Sequence, residues 1–312
     1  MRGRSSTSRR PEPRGGNGRC GGAIDAGLEV TAPDLCRRET VRAVARRFQV
    51  SPQHGLGQNF LVDREVRDAI VASLPASPGQ LVEIGCGLGS LSQGLLEAGH
   101  PLIGIEIDPA CLAALGLLRA QFPEFQVVLG DALQLGPEQL SVSAPYTVVG
   151  NLPYQITGAL LPRLMAWTPQ PRTCLLLVQR EVARRLAAPA GDWSLASLAL
   201  RLVAEVELQF DIPPDRFWPA PKVHSSLLKI TPTAGPSGDR SAQLLRLARP
   251  MFQQRRKQLH HGLANALGVA PAEAATRLRA VGIDPQRRPG TLDPGEWWRL
   301  LASLEPGDPD PG

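Results

Sequence analysis

No window of this 312-residue chain approaches the roughly 18 consecutive apolar residues of a membrane helix, so any contact with a membrane would be peripheral. The longest apolar run, CLLLVQ from Cys174, suits a buried strand instead. The five cysteines (Cys20, Cys36, Cys86, Cys111, Cys174) form no CxxC pair and fall at wide, irregular spacings. That argues against a zinc site and a disulfide framework, and points to a reducing compartment. The five histidines add no metal site, since His260 and His261 are adjacent and are expected to point apart on a helix; no metal is expected. No Gly-Lys-Ser/Thr follows a glycine-rich turn, which excludes a P-loop. Only three of the 34 basic residues are lysine, a bias that a GC-rich genome produces by itself.

Charge is present but unevenly spread. Residues 1–50 hold eleven basic against five acidic residues, 51–240 thirteen against seventeen, and 241–312 ten against seven. Basic flanks around a mildly acidic middle suit a small-molecule site framed by surfaces for a polyanion. Residues 1–35, rich in Gly, Arg, Ser and Pro, read as a disordered extension or an upstream start rather than a transit peptide, because amphipathic periodicity is missing. A short basic helix is expected over 39–48 and another over 63–74. Apolar runs at 80–85, 102–108, 125–132, 146–151 and 173–179 have the form of buried parallel strands, and helical patterns at 90–98, 109–121, 157–166 and 180–187 lie between them. This alternation predicts an α/β, Rossmann-like doubly wound sheet with helices on both faces. Two further strands flank a proline-rich connection in VELQFDIPPDRFWPAPKVHSSLLKI, and TPTAGPSGDR (231–240) reads as a linker. The expected organisation is a cofactor-binding domain over 36–232, a small all-helical domain over 240–304 and a disordered tail over 305–312.

Doubly wound sheets bind ligands at the carboxyl ends of their strands. EIGCGLGSLS places Glu83, Gly85, Gly87 and Gly89 at such an end, a glycine pattern too weak by itself to name a ligand. Glu106 ends the second strand, 21 residues beyond Gly85, where a carboxylate can accept ribose hydroxyls. Asp131 ends the third, where it can accept from an adenine amino group. These loops describe an adenosine-shaped slot without separating NAD from S-adenosylmethionine. GNLPY separates them. Acceptors on the Asn151 side chain and the Leu152 carbonyl, with Pro153 fixing the loop and Tyr154 offering a stacking face, suit methylation of an adenine amine, and hydride transfer needs none of them.

LGQNFLVD (56–63), VEIGCGLGSL (82–91), IEID (105–108), GDA (130–132), GNLPYQIT (150–157), QREVARRL (179–186), FWPAPKVHSSLL (217–228) and RRKQL (255–259) together resemble the KsgA/RsmA family over roughly residues 40–304. Those enzymes are 16S ribosomal RNA adenine N6,N6-dimethyltransferases. The resemblance implies S-adenosylmethionine as cofactor and two adjacent adenosines in the 3′-terminal hairpin of 16S rRNA as substrate, within the 30S subunit or its precursor. It implies a cytoplasmic monomer that uses no membrane. By motif, Asn59 and Leu61 would close over the cofactor, Gly85 would line it, Glu106 would hold the ribose and Asp131 the adenine. Asn151 would lie between cofactor and target, with Tyr154 and Phe217 against the target base. The basic clusters Arg46 and Arg47, Arg180, Arg184 and Arg185, and Arg255, Arg256 and Lys257 are expected to grip RNA phosphates.

The chain departs from the family's pattern at His54 and Gly55, where a basic residue is usual, and at Trp193 in GDWSLASL, read as a loop. Cys86 is expected to be a small apolar filler rather than a nucleophile. The rivals are a 23S rRNA resistance methyltransferase, a non-catalytic assembly or transcription factor of the same ancestry, and an NAD-dependent oxidoreductase.

Overall fold

The computed structural model describes residues 33–52, 57–233 and 238–304. Helix α1 (Arg38–Arg47) precedes a two-residue strand, β1 (Phe60–Leu61), and α2 (Arg64–Ala72), whose first turn is capped by the Asp63 carboxylate accepting from Val66 N at 2.9 Å. The expected alternation follows: β2 (Gln80–Ile84), α3 (Ser90–Glu97), β3 (Leu102–Glu106), α4 (Pro109–Gln121), β4 (Gln126–Leu129), β5 (Tyr146–Asn151), α5 (Thr157–Met165), β6 (Thr173–Gln179) and α6 (Arg180–Leu186). Asp108 ends no strand. It caps α4, with Pro109 at the first helical position.

The five strands β2 to β6 run parallel in the order β4-β3-β2-β5-β6. The chain moves outward from β2 to β4, then crosses back to β5, so the order reverses between β2 and β5. That opens a crevice at their carboxyl ends. β4 is the sheet edge and is not buried; Leu129 on it is 49% exposed. Beyond β6 the sheet continues antiparallel with β9 (Ser225–Pro232) and then β7 (Ala204–Ile212), the two strands expected around the proline-rich connection. That connection carries the two-residue strand β8 (Phe217–Trp218), which pairs antiparallel with β1.

Alternation along the strands divides their side chains between two cores. Leu81, Val149 and Leu175 pack with α1 to α4 on one face. Val82, Val148 and Leu176 pack with α5 and α6 on the other. A third core unites α8 (Gly238–Gln253), α9 (Leu259–Leu267), α10 (Pro271–Ala280) and α11 (Pro294–Ala302) around the fully buried Trp297. This core also takes Trp193, Leu198 and Leu202, which flank or lie on α7 (Leu195–Arg201). Of the stretch read as a loop, residues 191–194 are non-helical, and from Leu195 it is the helix α7, started by a reciprocal Ser194–Ser197 capping box. The helical end draws its core from both sides of the 232–240 boundary. Trp193 donates from Nε1 to the Ala188 carbonyl at 2.9 Å, and a Cβ on Gly290 would sit 2.8 Å from the Trp193 carbonyl oxygen.

Asp34 and Leu35, expected within the extension, belong to the folded body. Asp34 pairs with Arg64 at 3.1 Å, and the buried Leu35 donates its N–H to Gln93 Oε1 at 3.1 Å. The remainder of that extension (1–32), the departures at His54 and Gly55, the middle of the linker (234–237) and the tail (305–312) lie outside the described residues. No helix among the described residues is long and apolar enough to cross a membrane.

Candidate active site

The crevice between β2 and β5 is a cleft with about 890 Å³ of empty space counted out to its open mouth. Every expected loop contributes to it: Gly85, Glu106, Asp131, Asn59 and the Asn151–Tyr154 stretch all line it. Gly85 leaves β2 at φ +76°, a left-handed conformation that costs glycine nothing, and Gly87 follows at φ +55°. A Cβ on Gly87 would stand 2.9 Å from the Phe60 ring, so the missing side chain is what lets that ring close on the loop.

Glu106 is 4% exposed and is held by backbone donors alone. Oε2 accepts from Gly87 N at 2.6 Å, and Oε1 accepts from Ile107 N and Asp108 N, both at 2.9 Å. Burial pushes this carboxyl above its ordinary value against the opposing pull of those three N–H groups. A carboxylate offers about four acceptor positions, so one remains on Oε2 for a hydroxyl. Asp131 spends Oδ1 on Leu133 N at 2.8 Å and keeps Oδ2 unbonded among the described residues. A buried acceptor with one open position and a free acceptor at the end of the neighbouring strand fit the ribose and base of an adenosine, and the glycine turn leaves room for one. Among the described residues no group of three His, Cys, Asp or Glu is arranged to hold a metal ion.

Asn151 is fixed by an unusual partner. Its Nδ2 donates to the Asn59 backbone carbonyl at 2.7 Å, across 92 residues of sequence. A carbonyl oxygen can be met only by the amide's NH₂, so Oδ1 is left as a free acceptor in the cleft. Asn59 in turn donates its own Nδ2 to the Gly57 carbonyl at 3.0 Å. No hydrogen bond among the described residues reaches the Leu152 carbonyl, which stands beside it. The Tyr154 ring is half-buried and its hydroxyl meets Ser225 Oγ on β9 at 2.8 Å. Burial pushes the phenol up, so it stays protonated.

Two expected site residues are not brought to the cleft. Leu61 is 3% exposed and Phe217 is wholly buried, both in the core under α1 to α4. The β1–β8 ribbon explains both. Its residues pair as Phe60 with Trp218 and Leu61 with Phe217, and successive side chains alternate between faces. Phe60 faces the cleft and stacks on Trp218 at 6.1 Å between ring centroids, so Leu61 and Phe217 turn inward together. Phe60 and the 48%-exposed Ile107 are among the cleft residues to which motif reasoning gave no role. Ile107 carried a signal: an apolar residue directly after a strand-ending carboxylate has no core left to enter.

Cys86 is buried and its thiol is pushed well up by burial, as a filler's should be. Beneath the glycine turn lies the motif's first residue, for which the sequence suggested no role. Glu83 is 1% exposed, accepts from Ser92 Oγ at 2.5 Å, and is pushed up to about 7 by its burial. Of the basic clusters, Arg46 and Arg47 end α1 and are exposed, as are Arg185, Arg255, Arg256 and Lys257, while Arg180 is half-buried. Arg184 is paired with Asp211 at 2.9 Å and so is already engaged. His260 and His261 do not point apart: their ring centroids are 4.1 Å from each other.

The family model described as Ribosomal RNA adenine dimethylase matches residues 51–305. Curated relatives named Ribosomal RNA small subunit methyltransferase A include that of Dehalococcoides mccartyi strain CBDB1, 33% identical over 277 residues, covering 88% of this chain and 94% of the relative. Those of Kineococcus radiotolerans (37% over 276 residues; 86% and 91%) and Rhodopseudomonas palustris strain CGA009 (38% over 260 residues; 81% and 89%) are similar. Among solved structures, the 23S rRNA methyltransferase ErmE aligns with a TM-score of 0.64 at 24% identity, over 80% of this chain and all of that one. A dimethyladenosine transferase from Plasmodium falciparum aligns with a TM-score of 0.64 at 22% identity, over 78% and 96%. These two likenesses are of fold, and they bear out the Rossmann-like sheet.

Proposed function

The chain belongs to the ribosomal RNA adenine dimethylase family, and from that membership we propose that it dimethylates N6 of two adjacent adenosines in the 3′-terminal hairpin of 16S rRNA. Its setting is the 30S subunit or a precursor in the cytoplasm, where it acts as a monomer. S-adenosylmethionine, when bound, supplies a methyl group already activated by the positive charge on its sulfur. Glu106 would hold the ribose through the open position on Oε2, Asp131 Oδ2 the adenine amino group, and the exposed side chain of Ile107 a face of the adenine ring.

The observation that carries the reading is the Asn151–Asn59 hydrogen bond. An adenine amine is a poor nucleophile because its lone pair is delocalised into the ring. Asn151 Oδ1 and the Leu152 carbonyl accept hydrogen bonds from its two N–H groups, which favours a pyramidal nitrogen with the lone pair freed. The Asn59 carbonyl keeps the amide from turning its NH₂ toward the target. Tyr154, tethered by Ser225, stacks on the target base. No group here removes a proton before transfer; the proton leaves afterwards to solvent. The exposed basic residues Arg46, Arg47, Arg185, Arg255, Arg256 and Lys257, with Arg180, grip phosphates, and residues 240–304 serve as the RNA-binding domain.

Asn151→Ala is expected to keep S-adenosylmethionine affinity by calorimetry within a few-fold and to lose methyl transfer by roughly 10²–10³-fold, the scale of losing one fixed transition-state partner. Full transfer by that variant to undermethylated 30S subunits would sink the mechanism. Incorporation of labelled methyl groups into 50S but not 30S particles would overturn the substrate.

A further inference from the structure

A second concavity lies on the helical end, away from the cleft. The turn after α8, one face of α9 and the loop ahead of Pro289 wall it, and it holds about 1070 Å³ of empty space counted out to its mouth. Three cations line it: Arg256, Lys257 and Arg288. None of them makes an ion pair among the described residues, and no carboxylate lines the recess. The contrast with Arg287 is informative, because that neighbour is bound by Glu296 at 2.5 and 2.9 Å and serves the fold. Four amides line it as well; Gln254 is half-buried, while Gln258, Asn265 and Gln286 are exposed and their side chains have no hydrogen-bond partner among the described residues. The exposed His261 adds a ring face backed by His260, which is anchored through Nδ1 to the Pro285 carbonyl at 2.9 Å.

Cations alone would suit any polyanion. Amides that each offer a donor and an acceptor, beside a flat ring, suit a ligand that joins a phosphate to a hydrogen-bonding aromatic edge. We propose that this recess binds one unstacked nucleotide of the RNA substrate, with its phosphate on Arg256, Lys257 and Arg288, its base edge on the amides and its ring against His261. The proposal rests on the rRNA methyltransferase reading and adds to it a base-contacting site distinct from the nucleotide that is methylated. An acidic protein segment would use the cations but leave the amides and the ring unmatched.

The test uses the full chain with undermethylated 30S subunits, measuring affinity across a potassium chloride series. Arg288→Ala is expected to weaken binding three- to tenfold and to flatten the dependence of log affinity on log salt by roughly 0.7, the release expected for one phosphate contact on single-stranded RNA. A double variant, Asn265→Ala with Gln286→Ala, is expected to weaken binding comparably and leave that slope unchanged. In both, S-adenosylmethionine affinity stays as in the parent and the loss falls on KM rather than kcat. Parent affinity and slope in both variants would overturn the proposal. A flattened slope for Arg288→Ala with parent binding by the amide variant would reduce the recess to a phosphate contact and overturn the nucleotide claim. Competition by polyglutamate as strong as by a single-stranded RNA oligonucleotide would overturn the RNA partner. Because the readout is binding, failure of the methylation assay would count against the proposed reaction and leave these outcomes separate.

Discussion

Replacing Glu83 with Gln should make the protein more stable at neutral pH, and by an amount that depends on pH. Glu83 sits on β2 beneath the glycine turn, wholly buried, with one hydroxyl partner and no cation beside it. Its carboxyl titrates near 7 when folded and near 4.5 when unfolded. Between those values the folded chain keeps a proton that the unfolded chain has lost, so stability falls as pH rises from about 4.5 to about 7 and is flat above. The full interval corresponds to about 3 kcal/mol, and about three quarters of it lies between pH 5 and pH 8. Gln retains an acceptor for Ser92 Oγ and does not titrate. The melting temperature of Glu83→Gln relative to the parent should therefore rise by roughly 5 to 10 °C between pH 5 and pH 8, using the conversion for domains of this size. Thermal unfolding followed by circular dichroism at several pH values measures this directly. Asp34, Asp211 and Glu296, whose carboxyls are held below their ordinary values, titrate in both proteins and cancel in the comparison. Melting curves of variant and parent that run parallel from pH 5 to 8 would refute the assignment of a buried, protonated carboxyl.

Ser225→Ala should lower kcat on 30S subunits about tenfold, since the half-buried Tyr154 hydroxyl loses its partner and the ring its fixed position, a loss on the scale of one hydrogen bond. Cofactor affinity should not change, and adding Tyr154→Phe should cost nothing further; additive losses in that double-mutant cycle would show the two side chains to be independent. Gly150→Ala places a Cβ 2.7 Å from the Ile84 carbonyl oxygen and 3.1 Å from Leu152, between two paired strands that cannot part cheaply. A destabilisation of about 1–3 kcal/mol in urea unfolding is expected, together with weaker cofactor binding in calorimetry, and unchanged values of both would contradict the packing described at the end of β5.

The sheet was legible because buried parallel strands must be continuously apolar and the helices between them announce their starts. Asp108 and Pro109 mark α4 to the residue, and Thr157–Met165 falls within one residue of its expected end. The exposed strand β4 shows the limit: VVL reads as buried in the chain, yet its place at the sheet edge is a property of topology. The site was legible wherever a function needs a backbone shape or a strand end, as at Gly85, Glu106, Asp131 and Asn151. It was illegible where two residues decide a face. FL and FW are too short to reveal a period of two, so Leu61 and Phe217 could be sorted from Phe60 and Trp218 only by the pairing of segments some 157 residues apart. The roles of Ser225 and Glu83 escaped for a related reason. A tether 71 residues from Tyr154 leaves no spacing signal, and a carboxyl inside VEIG looks the same buried as exposed.

The seat of Trp193 in the third core has a consequence for how the substrate is measured. Helix α7 enters β7 directly, while its own apolar face is locked among α8 to α11, and Gly290 presses on the Trp193 backbone. The helical end cannot swing against the sheet without tearing a tryptophan from its packing. The span from the recess beside Arg288 to the ring of Tyr154 is therefore a fixed length held by protein, a caliper rather than a tether. If the proposed RNA contacts hold at both points, the nucleotide to be methylated is chosen by how far it lies from the one bound in the recess.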